Sequence, residues 1–359
     1  MKKDRLNKVL NEMNKDNLNQ MIVTSAQSIF YLTGKWLRCG ERMIALLIKS
    51  NGEHALIINK LFPLEENLDI NLVWYDDSNN PIEILSRYID KEDTLGIDKD
   101  WPAKFLLGLM EINAARMFVN SSYIVDRLRM VKDDEERELM RIASRKNDKV
   151  MLNLWNELKE GKSENYYVNV LRELYKQEEI NEFSFSPIIA FSPNGADPHH
   201  ETGEAKLKKG DSIVIDIGGI YKSYCSDMTR TVFFGKEPTE EHKNIYNIVR
   251  NANMNGINTV KEGVKFSEID NAARSYIESN GLGEFFTHRT GHSIGIETHD
   301  FGNVGANNYE EVKEGMIFSI EPGIYLPNNI GVRIEDLVMV TKDGCEVLNS
   351  VTKDIVVIE

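Results

Sequence analysis

The chain carries the stretch Lys208-Lys209-Gly210-Asp211-Ser212-Ile213-Val214-Ile215-Asp216-Ile217-Gly218-Gly219-Ile220-Tyr221. Further on stands a near copy, Lys313-Glu314-Gly315-Met316-Ile317-Phe318-Ser319-Ile320-Glu321-Pro322-Gly323-Ile324-Tyr325. In each, a glycine is followed six residues later by an acid at the end of an apolar run, and then by a glycine and a tyrosine. Such runs read as buried strands, and an ionised carboxylate at the end of a buried strand must be paired or bound to a metal. Each copy supplies a second acid after a turn: Asp227 in Ser226-Asp227-Met228-Thr229, and Glu335 in Arg333-Ile334-Glu335-Asp336. Any one of these acids could be a turn residue or a salt-bridge partner. Four in duplicated context point to a metal site.

Around the repeat, helical patterns at 133–157, 164–177, 240–260 and 266–279 alternate with the strand hairpins. A helix pair followed by a hairpin, twice over, implies an internally duplicated, pseudo-twofold domain with the acids converging at its centre. The first 125 residues read differently, as an α/β domain. Short apolar strands at 21–23, 43–48, 55–58, 72–75, 94–97 and 117–119 alternate with helices near 82–88 and 103–112. The charged run Lys132-Asp133-Asp134-Glu135-Glu136-Arg137-Glu138 opens a long helix, with its acids near the N-terminus where the helix dipole favours them, and reads as a solvated face at a domain border. The expected division is 1–125 and 126–359, an α/β (α+β) chain of two domains.

Bulk properties narrow the function classes. Asp and Glu outnumber Lys and Arg by 57 to 43, a net charge of -14 that argues against a binder of nucleic-acid phosphates. Three cysteines, Cys39, Cys225 and Cys345, have neither the count of a disulfide framework nor the spacing of a thiolate zinc site. The start of the sequence shows no apolar leader, and no run of about 18 apolar residues occurs, so neither secretion nor a membrane span is expected. A cytoplasmic location is the expectation.

A carboxylate-dominated donor set suits hard or borderline divalent ions, and an imidazole would complete it. Three of the seven histidines lie in Thr287-His288-Arg289-Thr290-Gly291-His292-Ser293-Ile294-Gly295-Ile296-Glu297-Thr298-His299-Asp300. Taken in order and context, Asp216, Asp227, His292, Glu321 and Glu335 resemble the five metal ligands of the pita-bread metallopeptidases: prolidase, aminopeptidase P and methionine aminopeptidase. The likeness spans nearly all of 126–359. Tyr31-Leu32-Thr33-Gly34 in the first domain resembles the smaller domain of the prolidase and aminopeptidase P branch, which methionine aminopeptidases generally lack. A metal-free relative of the creatinase kind is disfavoured because every ligand position is filled.

The resemblance implies a C-terminal pita-bread catalytic domain and a smaller creatinase/prolidase-like N-terminal domain. It implies two divalent ions, manganese first with cobalt or zinc as alternatives. Asp227 and Glu335 would bridge them, Asp216 would hold one, and His292 with Glu321 the other. Glu321 would also be the general base. His199 and His299 match histidines that hydrogen-bond the substrate and stabilise the tetrahedral intermediate, His288 matches a further substrate-pocket histidine, and Tyr325 and Arg333 match positions around the ligand carboxylates. The implied reaction is removal of the residue before a proline, as an Xaa-Pro dipeptidase, or as an Xaa-Pro aminopeptidase on longer peptides. A non-catalytic binding protein on the same fold is the alternative from another class. The resemblance also implies a homodimer whose N-terminal domain helps wall the partner's active site, and the apolar and cationic cluster Trp36-Leu37-Arg38 makes Arg38, with its planar guanidinium, the expected receptor there for a dipeptide carboxylate. Two departures from the family pattern, Ser293 for a more usual glycine and Asp300-Phe301-Gly302-Asn303 after His299, touch no ligand and bear on specificity.

Overall fold

The computed structural model describes residues 1–62, 64 and 68–359, which divide into two compact units, Met1–Arg129 and Met130–Glu359. The first contains α1 (Lys3–Lys15), β1 (Gln20–Val23), α2 (Ala26–Thr33), β2 (Ala45–Lys49), β3 (Ala55–Asn59), β4 (Asn71–Tyr75), α3 (Pro81–Ser86), β5 (Thr94–Ile97), α4 (Ala103–Glu111), β6 (Met117–Asn120) and α5 (Ser122–Met130). Its strands form one sheet in the order β4-β3-β2-β1-β5-β6. Every residue of β1 and β3 is buried, as expected for central strands covered on both faces. The helix α2 stops at Gly34, whose φ of 75° is a left-handed cap that costs glycine little. The expected border at residue 126 lies inside α5, and the units divide one helical turn later.

The second unit runs α6 (Asp134–Glu157), α7 (Glu164–Gln177), β7 (Ile188–Phe191), β8 (Ser212–Ile217), β9 (Ile220–Tyr221), β10 (Tyr224–Cys225) and β11 (Met228–Phe234). It continues with α8 (Glu240–Thr259), α9 (Phe266–Ser279), β12 (Gly291–His292), β13 (Asn303–Val304), β14 (Ile317–Ile320), β15 (Gly323–Tyr325), β16 (Gly331–Arg333), β17 (Asp336–Val340), β18 (Cys345–Val347) and β19 (Val357–Ile358). The duplication is visible in the pairing. The strands β8 and β11 pair antiparallel around the small hairpin β9–β10, and β14 and β17 pair antiparallel around β15–β16. A helix pair precedes each. The long helices α6 and α7 pack Leu154, Leu171 and Tyr175 on Ile213, Ile215 and Val232 of the first hairpin. In the second half, Phe266 and Ile269 of α9 meet Phe318 and Ile320 of β14.

The two half-sheets join where the acids are. The Glu335 amide donates to the Thr229 carbonyl at 3.0 Å. Behind that seam lies Arg230, 1% exposed, whose guanidinium meets the Asp336 carboxylate at 2.7 Å, the Glu335 carbonyl at 2.6 Å and the Val351 carbonyl at 2.8 Å. A buried ion pair is tolerated only when its remaining hydrogen-bonding capacity is also met, and here it is. At the start of α6, Asp133 and Glu136 form a capping box. Glu136 departs from the expected solvated face: it is 2% exposed and also accepts from the Tyr224 hydroxyl at 2.9 Å.

Candidate metal centre

Strand register places the carboxylates. On β8, Asp216 lies opposite Ile188 on one side and Thr229 on the other. Asp227 stands just before β11, while Glu321 follows β14 and Glu335 precedes β17, whose first residue pairs with Ile320. The imidazole comes from β12. A Cβ at Gly291 would collide with the Ser319 carbonyl, so glycine there lets β12 lie against β14 and brings His292 to the acids. Its Nε2 is 3.6 Å from Asp227 Oδ2 and 3.5 Å from Glu321 Oε1. Ligand atoms of Asp227, His292 and Glu335 all lie within 4.8 Å of one another.

Side chains beside the acids hold them in place. Arg333 donates to Asp216 Oδ2 at 2.7 Å, to the Thr229 hydroxyl at 3.1 Å and to the Tyr325 hydroxyl at 3.0 Å. Thr229 in turn donates to Glu335 Oε2 at 2.7 Å. Ser319 bonds Glu321 at 3.2 Å and receives the His292 amide at 3.0 Å. Thr229 and Ser319 sit two residues from Asp227 and Glu321 along their strands, the spacing that returns a side chain to the same face. Sequence reading passed over both, although that alternation was available to it.

The donor set fits a divalent cation. Three carboxylate oxygens, Asp216 Oδ1, Asp227 Oδ1 and Glu335 Oε1, are buried with no hydrogen-bond partner among the described residues, an arrangement that is costly unless something positive meets them. Burial first and then the neighbouring acids push the Asp227 and Glu335 carboxyls well above the ordinary range. Burial also raises Glu321 to about 7 and lowers His292 to about 3, leaving a neutral imidazole suited to ligation.

All five predicted ligands, with His199, His288, His299 and Arg333, line one cavity of about 340 Å³. The His288 ring bonds the Tyr325 hydroxyl at 2.8 Å. Tyr325 itself lies behind the wall, buried, with its hydroxyl committed to His288 and Arg333. Neither the His199 nor the His299 ring makes a hydrogen bond among the described residues, and His299 meets His292 edge-on at 4.2 Å between ring centres. Arg38 is in the first unit, with its guanidinium 5.0 Å from the Trp36 ring centre. The cavity adds residues that sequence reading missed, among them Arg289, Phe185, Ile188 and Thr298.

A duplicated strand–hairpin–strand unit that gathers four carboxylates and an imidazole at its seam defines a pita-bread metallopeptidase. Residues 138–342 match Metallopeptidase family M24, and residues 5–131 match the Creatinase/Prolidase N-terminal domain. The chain belongs to metallopeptidase family M24, and it is a peptidase. An uncharacterized peptidase of Staphylococcus aureus is 35% identical over 357 residues, covering 97% of this chain and 99% of its own. A recombinant prolidase from Thermococcus sibiricus superposes with a TM-score of 0.92 at 34% identity, covering 99% of each chain. A dipeptidase from Mycobacterium ulcerans gives 0.92 at 30% identity, covering 99% of this chain and 97% of its own. Among the described residues, no helix is long and apolar enough to cross a membrane.

Proposed function

We propose that this peptidase hydrolyses the bond between an N-terminal residue and a following proline, acting chiefly as an Xaa-Pro dipeptidase with two divalent cations, manganese before cobalt or zinc. The three orphaned carboxylate oxygens at the seam carry the metal reading. The named prolidase and dipeptidase among the similar structures support the substrate class. Asp227 and Glu335 would serve both cations, Asp216 would hold one, and His292 with Glu321 would hold the other. When bound, such ions lower the pKa of water and polarise a carbonyl.

The protein side of the chemistry follows from the cleft. Glu321, a carboxylate just past the end of β14 that lines the cleft, takes the proton of the attacking water and returns it to the leaving nitrogen. A prolyl nitrogen carries no hydrogen until that proton arrives. His199 and His299 donate to the carbonyl oxygen as it gains charge. His288, steered by Tyr325, packs against the substrate, and Arg333 keeps Asp216 oriented through its planar fork.

A chelator is expected to abolish hydrolysis of Ala-Pro, with manganese or cobalt restoring it. Full turnover by protein shown by metal analysis to be empty would overturn the metal reading, and bound metal without cleavage of any Xaa-Pro peptide would favour a binding protein. A cytoplasmic homodimer is part of the proposal, and light scattering tests the dimer. In it, Arg38 receives the dipeptide carboxylate: Arg38→Ala is expected to lower kcat/KM on Xaa-Pro dipeptides and to spare longer peptides, and equal effects on both would remove that role. Cleavage of longer Xaa-Pro peptides is the second reading, favoured by a groove that leaves the cleft past His199.

A further inference from the structure

The groove, of about 700 Å³, shares Phe185, Ile188 and His199 with the metal cleft, so the two are continuous. Ile188 is the residue paired directly with Asp216, which puts the near end of the groove beside the donor cluster. One wall is α7, through Asn165, Val168 and Arg172, positions three and seven residues apart that share a helix face. The other wall is the loop bearing His199, His200 and Thr202.

That loop is anchored to the helix by Glu164, fully buried in the first turn of α7. Its carboxylate accepts from the Phe191 amide at 3.0 Å, Asn194 at 2.9 Å and the Gly203 amide at 2.8 Å, and lies 2.8 Å from His200 Nε2. Four partners on one carboxylate make the groove a formed feature of the unit. Arg172 sits on the helix wall with its guanidinium 5.1 Å from the Phe183 ring centre. Among the described residues it has no ion pair and no hydrogen bond, whereas Glu173 and Lys176 on the same helix pair with each other. Stacking fixes the plane of the guanidinium and leaves its N–H edge available. Glu201 on the opposite wall is not paired with it.

We propose that this groove binds the C-terminal part of Xaa-Pro peptides longer than two residues, with Arg172 receiving their terminal carboxylate. The proposal rests on the Xaa-Pro reading and deepens it. Phe185, Ile188 and His199 line both the cleft and the groove, so a chain that continues past the proline runs from one into the other. A peptide that extends past its proline brings its carboxylate into the groove that Arg172 lines.

The test compares Ala-Pro, Ala-Pro-Ala-Ala and the C-terminal amide of Ala-Pro-Ala-Ala on the manganese-loaded protein. The variant Arg172→Ala is expected to raise KM for the free-acid tetrapeptide about tenfold with kcat little changed, as loss of one charge-assisted contact does. The amide and the dipeptide should be unaffected, and Arg172→Lys should fall between. Calorimetric binding of the product-like peptide Pro-Ala-Ala, which needs no turnover, should weaken by a similar factor in Arg172→Ala. Equal effects on acid and amide, or unchanged Pro-Ala-Ala binding, would overturn the subsite. Arg172-dependent binding of Pro-Ala-Ala by a protein that cleaves none of the three peptides would sustain the subsite and overturn the Xaa-Pro hydrolase.

Discussion

Asp227→Asn and Glu335→Gln are each expected to lower kcat/KM on Ala-Pro by about 10³-fold or more, roughly 4 kcal/mol of barrier, and to lower the metal content of the purified protein. An amide is a neutral and weaker ligand than the carboxylate it replaces, and both residues present a buried oxygen with no hydrogen-bond partner among the described residues. In metal-free protein the same substitutions should raise Tm by about 2–4 °C, because both acids sit where burial and neighbouring carboxylates disfavour the charged form. The pH dependence has a definite sign. A carboxyl whose folded pKa is raised stabilises the fold below its unfolded pKa and loses that contribution as pH rises through the folded value. His288 and His292, lowered from 6.5 to about 4 and about 3, oppose this trend at acid pH and are neutral in both states once pH is well above 6.5. Once pH is well above 6.5 and still below the range in which the cysteines, raised by burial, titrate in the unfolded chain, the acids set the slope, so the metal-free wild type should melt at progressively lower temperature and the two variants less steeply. Full metal content in either variant, or a lower metal-free Tm, would contradict the proposed bridging role.

His299→Ala is expected to keep its metal and to lose about 10²–10³ in kcat, the usual cost of removing one donor to a developing oxyanion. Its ring is turned edge-on to His292 and has no hydrogen-bonding partner among the described residues. Burial and then Arg289 lower its pKa, which keeps the imidazole neutral with one N–H to give at neutral pH. Metal analysis separates this role from ligation: a clear fall in bound metal would place His299 among the groups that build the cation site. A matching loss in KM alone would make it a binding contact instead.

The donor cluster was legible in the sequence because a duplicated pattern ties each acid to the end of a buried strand, and strand ends are where the hairpins meet. The helices of the second unit were equally plain, since their apolar period is long and three of the four start after a capping Asp133, Ser163 or Thr239. What surrounds the donors was not legible. Phe185, Ile188 and Thr298 are residue types that occur everywhere, and they reach the cleft only through strand register and loop closure. Arg289 stands between two histidines that drew attention to themselves, while its guanidinium shows its position only in three dimensions. Glu136 misled for a related reason: an acid in a charged run gives no sign that a tyrosine hydroxyl from β10, distant in sequence, will cover it.

Arg230 sets an order of events during synthesis. It leaves the ribosome on β11, with Asp216 and Asp227 already made, while Asp336, the Glu335 carbonyl and the Val351 carbonyl that receive it lie more than a hundred residues downstream. Until that C-terminal stretch arrives, burying the first hairpin would strand an unneutralised guanidinium in an apolar interior. The first half is therefore expected to stay unpacked at β11 until that stretch is made, and a chain ending before Asp336 is expected to be cleaved by a protease faster than the full chain.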